Sequence, residues 1–202
     1  NRLLDIYKKI KHTFPDIITS IDTYRSSIAK ETIKYGANII NDIYAGNYDS
    51  NIIQVVKEKR IPYVAMHMNG NPKNMQSNIE YKNFKYDILS FFEKKIREIQ
   101  NAGHNEIIID PGFGFGKTLN QNYQLINILK ELTQFGLPIL VGLSRKSMIS
   151  NLLNTRAKNT LNGTTILNTI AVMNGANIIR VHDLKEAKEI KYIINMINQN
   201  EF

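Results

Sequence analysis

The chain has 202 residues, no cysteine and a formal net charge of +8, with apolar and charged residues in ordinary globular proportion. That length allows one domain with a sizeable core, and the lack of cysteine leaves no disulfide framework and no thiolate metal site. No apolar run approaches a membrane span, the N-terminus does not read as a signal peptide, and the lysines are scattered over helices rather than gathered in a stripe with aromatics, which argues against nucleic acid.

Apolar periodicity predicts a helix over Arg2–His12, with Leu3, Leu4, Tyr7 and Ile10 on one face. Ile17–Ser20 runs into Ile21-Asp22-Thr23, a strand ending in Asp. Arg25–Tyr35 is a helix closed by Gly36. A second strand, Ala37–Ile40, ends in Asn41-Asp42, and a short helix covers Asn51–Arg60. Pro62–Met66 is a third strand, ending in His67 and followed by the loop Met68-Asn69-Gly70-Asn71-Pro72. A long helix runs from about Ile79 to Ala102, with Phe84, Ile88, Phe92, Ile96 and Ile99 on one stripe.

The next stretch, Glu106–Thr118 (EIIIDPGFGFGKT), organises the chain. Ile107–Ile109 has the length and branching of a buried strand and ends on the carboxylate of Asp110. Pro111 stops ladder pairing, and Gly112, Gly114 and Gly116 let the chain turn between Phe113 and Phe115. The stretch is not a phosphate-binding P-loop, because Pro stands at 111 where that motif needs Gly. Nor is it GxGxxG, because position 117 is Lys.

Beyond it come a helix over Tyr123–Phe135, a strand over Pro138–Gly142 leading into Ser144-Arg145-Lys146-Ser147, and helices over Ser147–Leu153 and Thr164–Asn174. A sixth strand, Ala176–Val181, leads into His182-Asp183, and Lys185–Asn198 is the last helix.

Strands apolar on both faces that alternate with helices imply a parallel sheet covered by helices. Two architectures satisfy the pattern: an open doubly wound sheet of six strands, or a (β/α)8 TIM barrel of which six of the eight strands are present. Polar groups end all six strands: Asp22, Asn41, His67, Asp110, Ser144 with Lys146, and Arg180 with His182. A barrel gathers such ends at one mouth, whereas an open sheet needs them only at its switch point, so the barrel is favoured.

Each of these residues has a bland reading when taken alone. Asp22 and Asp42 can cap helices, His67 can be a satisfied core histidine, Arg180 can pair with Asp183, and Lys146 can lie on a solvated face. Their joint placement argues for a site. Asp22, Asn41 and Asp110 suit a flat heterocycle rich in N–H donors. Lys146, Arg180 and His182 suit phosphate oxygens. No Ser-His-Asp logic, HExxH motif or close metal-ligand spacing occurs.

The segments IDTYRSSIA, IINDIYAG, MHMNGNPKNMQ, IIIDPGFGFGKT, LVGLSRKSMI and IIRVHD, in this order, resemble the dihydropteroate synthase family from Ile21 to about the last helix. The resemblance implies one pterin-binding TIM-barrel domain over residues 1–202, cytoplasmic and homodimeric. It implies a transferase of folate biosynthesis that condenses 6-hydroxymethyl-7,8-dihydropterin diphosphate with 4-aminobenzoate and releases diphosphate, with Mg²⁺. Carried over by position, Asp22, Asn41, Asp110 and Lys146 hold the pterin, with Asp22, Asp110 and Lys146 catalytic. Arg180 and His182 lie at the diphosphate, and Phe115 and Ser147 near the aminobenzoate. The family's first two strands and its metal-holding Asn are not matched, and the first residue is Asn rather than Met. The chain is therefore expected to be N-terminally incomplete, with the metal ligand upstream and no metal residue assigned here. A pterin-binding module without synthase activity and a folate-binding methyltransferase barrel are the alternatives. The diphosphate-holding SRKS and RVHD argue against the second.

Overall fold

A computed structural model of the chain describes residues 2–70 and 79–199. Asn71-Pro72 of the expected loop, and positions 71–76 of the MHMNGNPKNMQ segment, lie outside the described residues. The chain forms two compact units, Asn1–His67 with Ser90–Asp110 and Met68–Leu89 with Pro111–Phe202.

The first unit holds α1 (Arg2–Thr13), β1 (Ser20–Asp22), α2 (Ser26–Lys34), β2 (Ile39–Asp42), α3 (Asn51–Lys59), β3 (Tyr63–Met66), α4 (Phe84–Asn101) from Ser90 onward, and β4 (Ile107–Asp110). The four strands form one sheet in sequence order, every pair parallel. All residues of β3 and β4 are buried, as expected of strands covered on both faces. Helices α2 and α3 pack together, and α3 buries Ile52, Ile53 and Val56. In α4 the expected stripe buries Ile88, Phe92, Ile96 and Ile99. In α1 the expected apolar face buries only Tyr7, whose hydroxyl meets Thr19 Oγ1 at 2.8 Å; Leu3 and Ile10 remain exposed.

The second unit holds α5 (Leu119–Leu132), β5 (Leu140–Val141), α6 (Ser147–Leu152), α7 (Leu161–Met173), β6 (Ile178–Ile179) and α8 (Leu184–Asn198). Strands β5 and β6 pair in parallel, Leu140 with Ile178 and Val141 with Ile179. Helix α5 begins four residues earlier than its apolar pattern suggests. A capping box starts it: Thr118 Oγ1 accepts from the Gln121 N–H, and the Gln121 side chain accepts from the Thr118 N–H. It buries Leu125, Ile126, Ile128, Leu129 and Leu132, and packs against α6 and α7.

Candidate active site

In the first unit the strand register sets the chemistry. Asp22 is paired with Asn41, Asn41 with Val64, and Met66 with Asp110. Side chains alternate between faces along a strand, so Asp22, Asn41, Val64, Met66, Ile108 and Asp110 share one face of the sheet. That face carries polar groups at its carboxyl end and an apolar floor below. Asn41 Nδ2 donates to Asp22 Oδ1 at 2.6 Å. This bond fixes which end of the amide is which and leaves Asn41 Oδ1 as an acceptor. Among the described residues that buried oxygen has no hydrogen-bond partner. Asp22 is exposed, whereas Asn41 and Asp110 are almost wholly buried. The main chain of Asp110 is fixed by the His67 N–H, which donates to its carbonyl at 2.9 Å.

Asp42 lies on the opposite face, in register with Ala65. Its carboxylate accepts from the Tyr44 and Gly46 N–H groups at 2.9 and 2.8 Å and from the Tyr63 hydroxyl at 2.7 Å. Burial raises its pKa, against the pull of those donors, and burial with the adjacent carboxylate raises that of Tyr63. Asp42 therefore shapes the turn after β2 rather than capping α3. Tyr24, Tyr44 and Tyr48 meet ring to ring, and Asp49 Oδ2 accepts from the Ser26 N–H at 2.8 Å. These contacts join the segments that follow Asp22 and Asn41. His67 is a buried histidine whose ring stands edge-on to Phe91, 4.7 Å between centroids.

In the second unit the loop after β4 keeps Phe113 fully buried and Phe115 half-exposed. Lys146 donates to the Phe113 carbonyl and holds its ammonium 5.1 Å from the Phe115 ring centroid. Gly116 has a φ of +62°, and a Cβ there would lie 2.3 Å from the Asn69 carbonyl, so no other residue fits. Ser147 opens α6 and is exposed.

The segments that follow β5 and β6 are joined by three contacts. The Arg180 guanidinium lies along Gly142, where a Cβ would stand 3.0 Å from its terminal nitrogen. The His182 N–H donates to Ser144 Oγ at 3.3 Å. Asp183, which the sequence suggests as a partner for Arg180, accepts two bonds from Arg145, Nε to Oδ2 at 3.1 Å and an Nη to Oδ1 at 2.7 Å. The Arg145 hydrogen bond holds the Asp183 carboxyl below the usual range. Arg180 and His182 are exposed.

The structure thus brings Asp22, Asn41 and Asp110 onto one sheet face of the first unit. In the second unit it joins Phe115 to Lys146, and the segment bearing Arg180 and His182 to the Ser144–Arg145 turn. The sequence reading gave Arg145 no role of its own within the SRKS turn and did not single out Asn122. The partners of Arg145 are too far along the chain to read, but the Thr-x-x-Gln capping box beside Asn122 is visible in the sequence.

Residues 1–182 match the family described as pterin binding enzyme. The dihydropteroate synthase of Escherichia coli (strain K12) is 39% identical over 195 residues, covering 96% of this chain and 68% of that protein. That of Clostridium beijerinckii is 40% identical, covering 92% and 67%. A Yersinia pestis dihydropteroate synthase, solved with a sulfonamide drug complex, superposes with a TM-score of 0.92 at 39% identity, covering 99% of this chain and 73% of that one. The expected fold class, six strands of the (β/α)8 pattern, is borne out by this likeness. Matched over most of its length by the family and by these synthases at about two-fifths identity, the chain belongs to the dihydropteroate synthase family of pterin-binding enzymes.

Proposed function

We infer that the chain carries the transferase activity of its family and condenses 6-hydroxymethyl-7,8-dihydropterin diphosphate with 4-aminobenzoate to give 7,8-dihydropteroate. The observation that carries this reading is the shared sheet face on which the buried Asn41 Oδ1 is left as an acceptor between carboxylates. A donor-rich pterin ring meets Asn41, Asp110 and Asp22 there, each supplying oxygen to a ring N–H.

Reaction breaks the C–O bond between the pterin methylene and the diphosphate, which leaves with the bonding pair. As that bond opens ahead of attack, positive charge develops on the pterin, and the Asp22 and Asp110 carboxylates stabilise it. Arg180 and His182 receive the leaving diphosphate, Arg180 through a fork suited to two oxygens. The amine nitrogen of 4-aminobenzoate then bonds to the methylene carbon through its lone pair and gives up a proton to water. Phe115 offers the arylamine a ring face and Ser147 a hydroxyl, while Lys146 supplies a donor to the pterin and keeps the loop in place.

Mg²⁺ belongs to this proposal. When bound, it would supply a Lewis acid at the diphosphate. Among the described residues no group of three or more His, Cys, Asp or Glu side chains could hold the ion, so no step is assigned to it. Titration of the full-length protein with the pterin diphosphate, with and without Mg²⁺, followed by assay of diphosphate release, tests the reading. Binding with release on adding 4-aminobenzoate is expected. Binding without release would leave a pterin-binding module, and no binding would overturn the site.

We further propose that both units act as one pterin-binding domain, that the protein works in the cytoplasm, and that it is a homodimer. Among the described residues no helix is long and apolar enough to cross a membrane. Helix α7 exposes Ile166, Ile170 and Met173 at the i, i+4, i+7 spacing of one face. A two-fold interface would cover that face. Light scattering of the purified protein should give twice the chain mass, and Ile170→Lys should give one. An Ile170→Lys protein that stays dimeric removes α7 from the interface.

A further inference from the structure

We propose that Asn122 is the positioning residue of the Gly112–Gly116 loop, holding Phe115 and the Phe113–Lys146 contact where the arylamine meets them. The proposal rests on the reading of Phe115 and Lys146 given above.

The loop has no ladder to satisfy its backbone. Gly112, Gly114 and Gly116 have φ of +71°, +81° and +62°, so every second residue reverses the chain's preferred hand. Buried peptide groups in such a path need side-chain partners. Lys117 Nζ donates to the Gly112 and Phe115 carbonyls at 2.9 and 3.0 Å, and the Tyr81 hydroxyl to the Gly116 carbonyl at 2.9 Å. The N–H at the centre of the loop is met by Asn122. Gly114 N donates to Asn122 Oδ1 at 2.6 Å, while Asn122 Nδ2 donates to the Lys117 and Thr118 carbonyls at 3.2 and 2.8 Å. The amide is 3% exposed, and both its ends are in use.

Asn122 itself is well fixed. It lies one turn inside α5, and its own N–H donates to the Thr118 carbonyl next to the capping box. One rigid side chain therefore ties the middle of the loop to its exit. Gly114 is flanked by Phe113, whose carbonyl takes Lys146, and by Phe115, whose ring faces that lysine. A shift at Gly114 moves both. No close relative of Asn does the same work. Asp keeps the acceptor but turns lone pairs toward two carbonyls, and Ala removes all three bonds.

The test uses the full-length protein with Asn122→Ala and Asn122→Asp. Hydrogen exchange of the Gly114 amide should quicken by about tenfold or more, with that of β3 unchanged. The KM for 4-aminobenzoate should rise by about tenfold, and the dissociation constant of the pterin diphosphate, which Lys146 also helps to hold, by clearly less. Unchanged exchange at Gly114, or faster exchange that extends through β3, would overturn the proposal. So would equal losses for both substrates. A wild-type protein that does not join the two substrates would overturn the assigned reaction instead, and the exchange at Gly114 would still decide the role of Asn122.

Discussion

Asp110→Asn should weaken binding of the pterin diphosphate by about 2–4 kcal/mol, the scale of a charged hydrogen bond replaced by a mismatch. That is roughly 30- to 1000-fold in dissociation constant. A carboxylate offers acceptors to two ring N–H groups at once, whereas an amide replaces one acceptor with a donor that faces a donor. The strand should tolerate the change. Its backbone is held by pairing with β3 and by the His67 N–H, and the two side chains have nearly the same shape. Titration calorimetry reads the effect directly, and an affinity within twofold of wild type would remove Asp110 from the site.

Asp42→Asn supplies the control. Asp42 accepts three bonds on the opposite face of the same sheet, so the amide sets a donor against a donor there too. It should lower stability by about 1–3 kcal/mol, read from denaturant unfolding, with pterin affinity near wild type. Equal losses of affinity in the two variants would mean that the sheet responds as a whole and that its faces have no separate roles.

Much of this arrangement is legible in the sequence, because buried parallel strands are written as branched apolar runs with abrupt polar ends. Ile107–Ile109 followed by Asp110 shows it most directly. The boundaries are less legible where side chains beyond the local pattern decide them. Strand β2 runs through Asp42 because Tyr63, on the neighbouring strand, satisfies a carboxylate that would otherwise end the ladder. The expected helix from Ile79 begins at Phe84, since the preceding residues are engaged in the loop. Glu80 accepts from Asn69 through its carbonyl, and Tyr81 reaches Gly116. Asn83 then stands at the helix start and accepts from the Tyr86 N–H. Strands β5 and β6 keep only two paired residues each, as the chain on either side turns into capping and site contacts.

The partners within the site are the least legible part. Composition makes Arg180 and Asp183 an obvious pair, three residues apart. Yet Asp183 is taken by Arg145, 38 positions away, through a two-pronged contact that no local pattern announces. The left-handed backbone of Arg145, at φ +55°, belongs to the same turn, and its N–H is met by Thr164 Oγ1 at 3.1 Å. A turn built from contacts that distant can be read only from coordinates.

Arg180→Ala should cost binding of the pterin diphosphate about 1.5–3 kcal/mol, the range for hydrogen bonds to a charged group, or roughly 10- to 150-fold. Free 6-hydroxymethyl-7,8-dihydropterin, which has the ring but no phosphate, should bind the variant as it binds wild type. The split follows from the position of Arg180: it comes directly after β6, in the segment assigned to the diphosphate, and its guanidinium is laid along Gly142. The same contact supplies a second variant that keeps the charge. A methyl group at position 142 would stand 3.0 Å from the terminal guanidinium nitrogen and 3.2 Å from Nε, tight enough that the guanidinium must give way by a few tenths of an ångström. Gly142→Ala should therefore displace the fork and reproduce part of the Arg180→Ala loss for the diphosphate ester, again sparing the free pterin. Because the guanidinium meets phosphate through exposed charge, the Arg180→Ala deficit should also shrink as ionic strength rises. Equal losses for the two ligands in Arg180→Ala would show that this arginine acts through the fold of its segment and not on the leaving group.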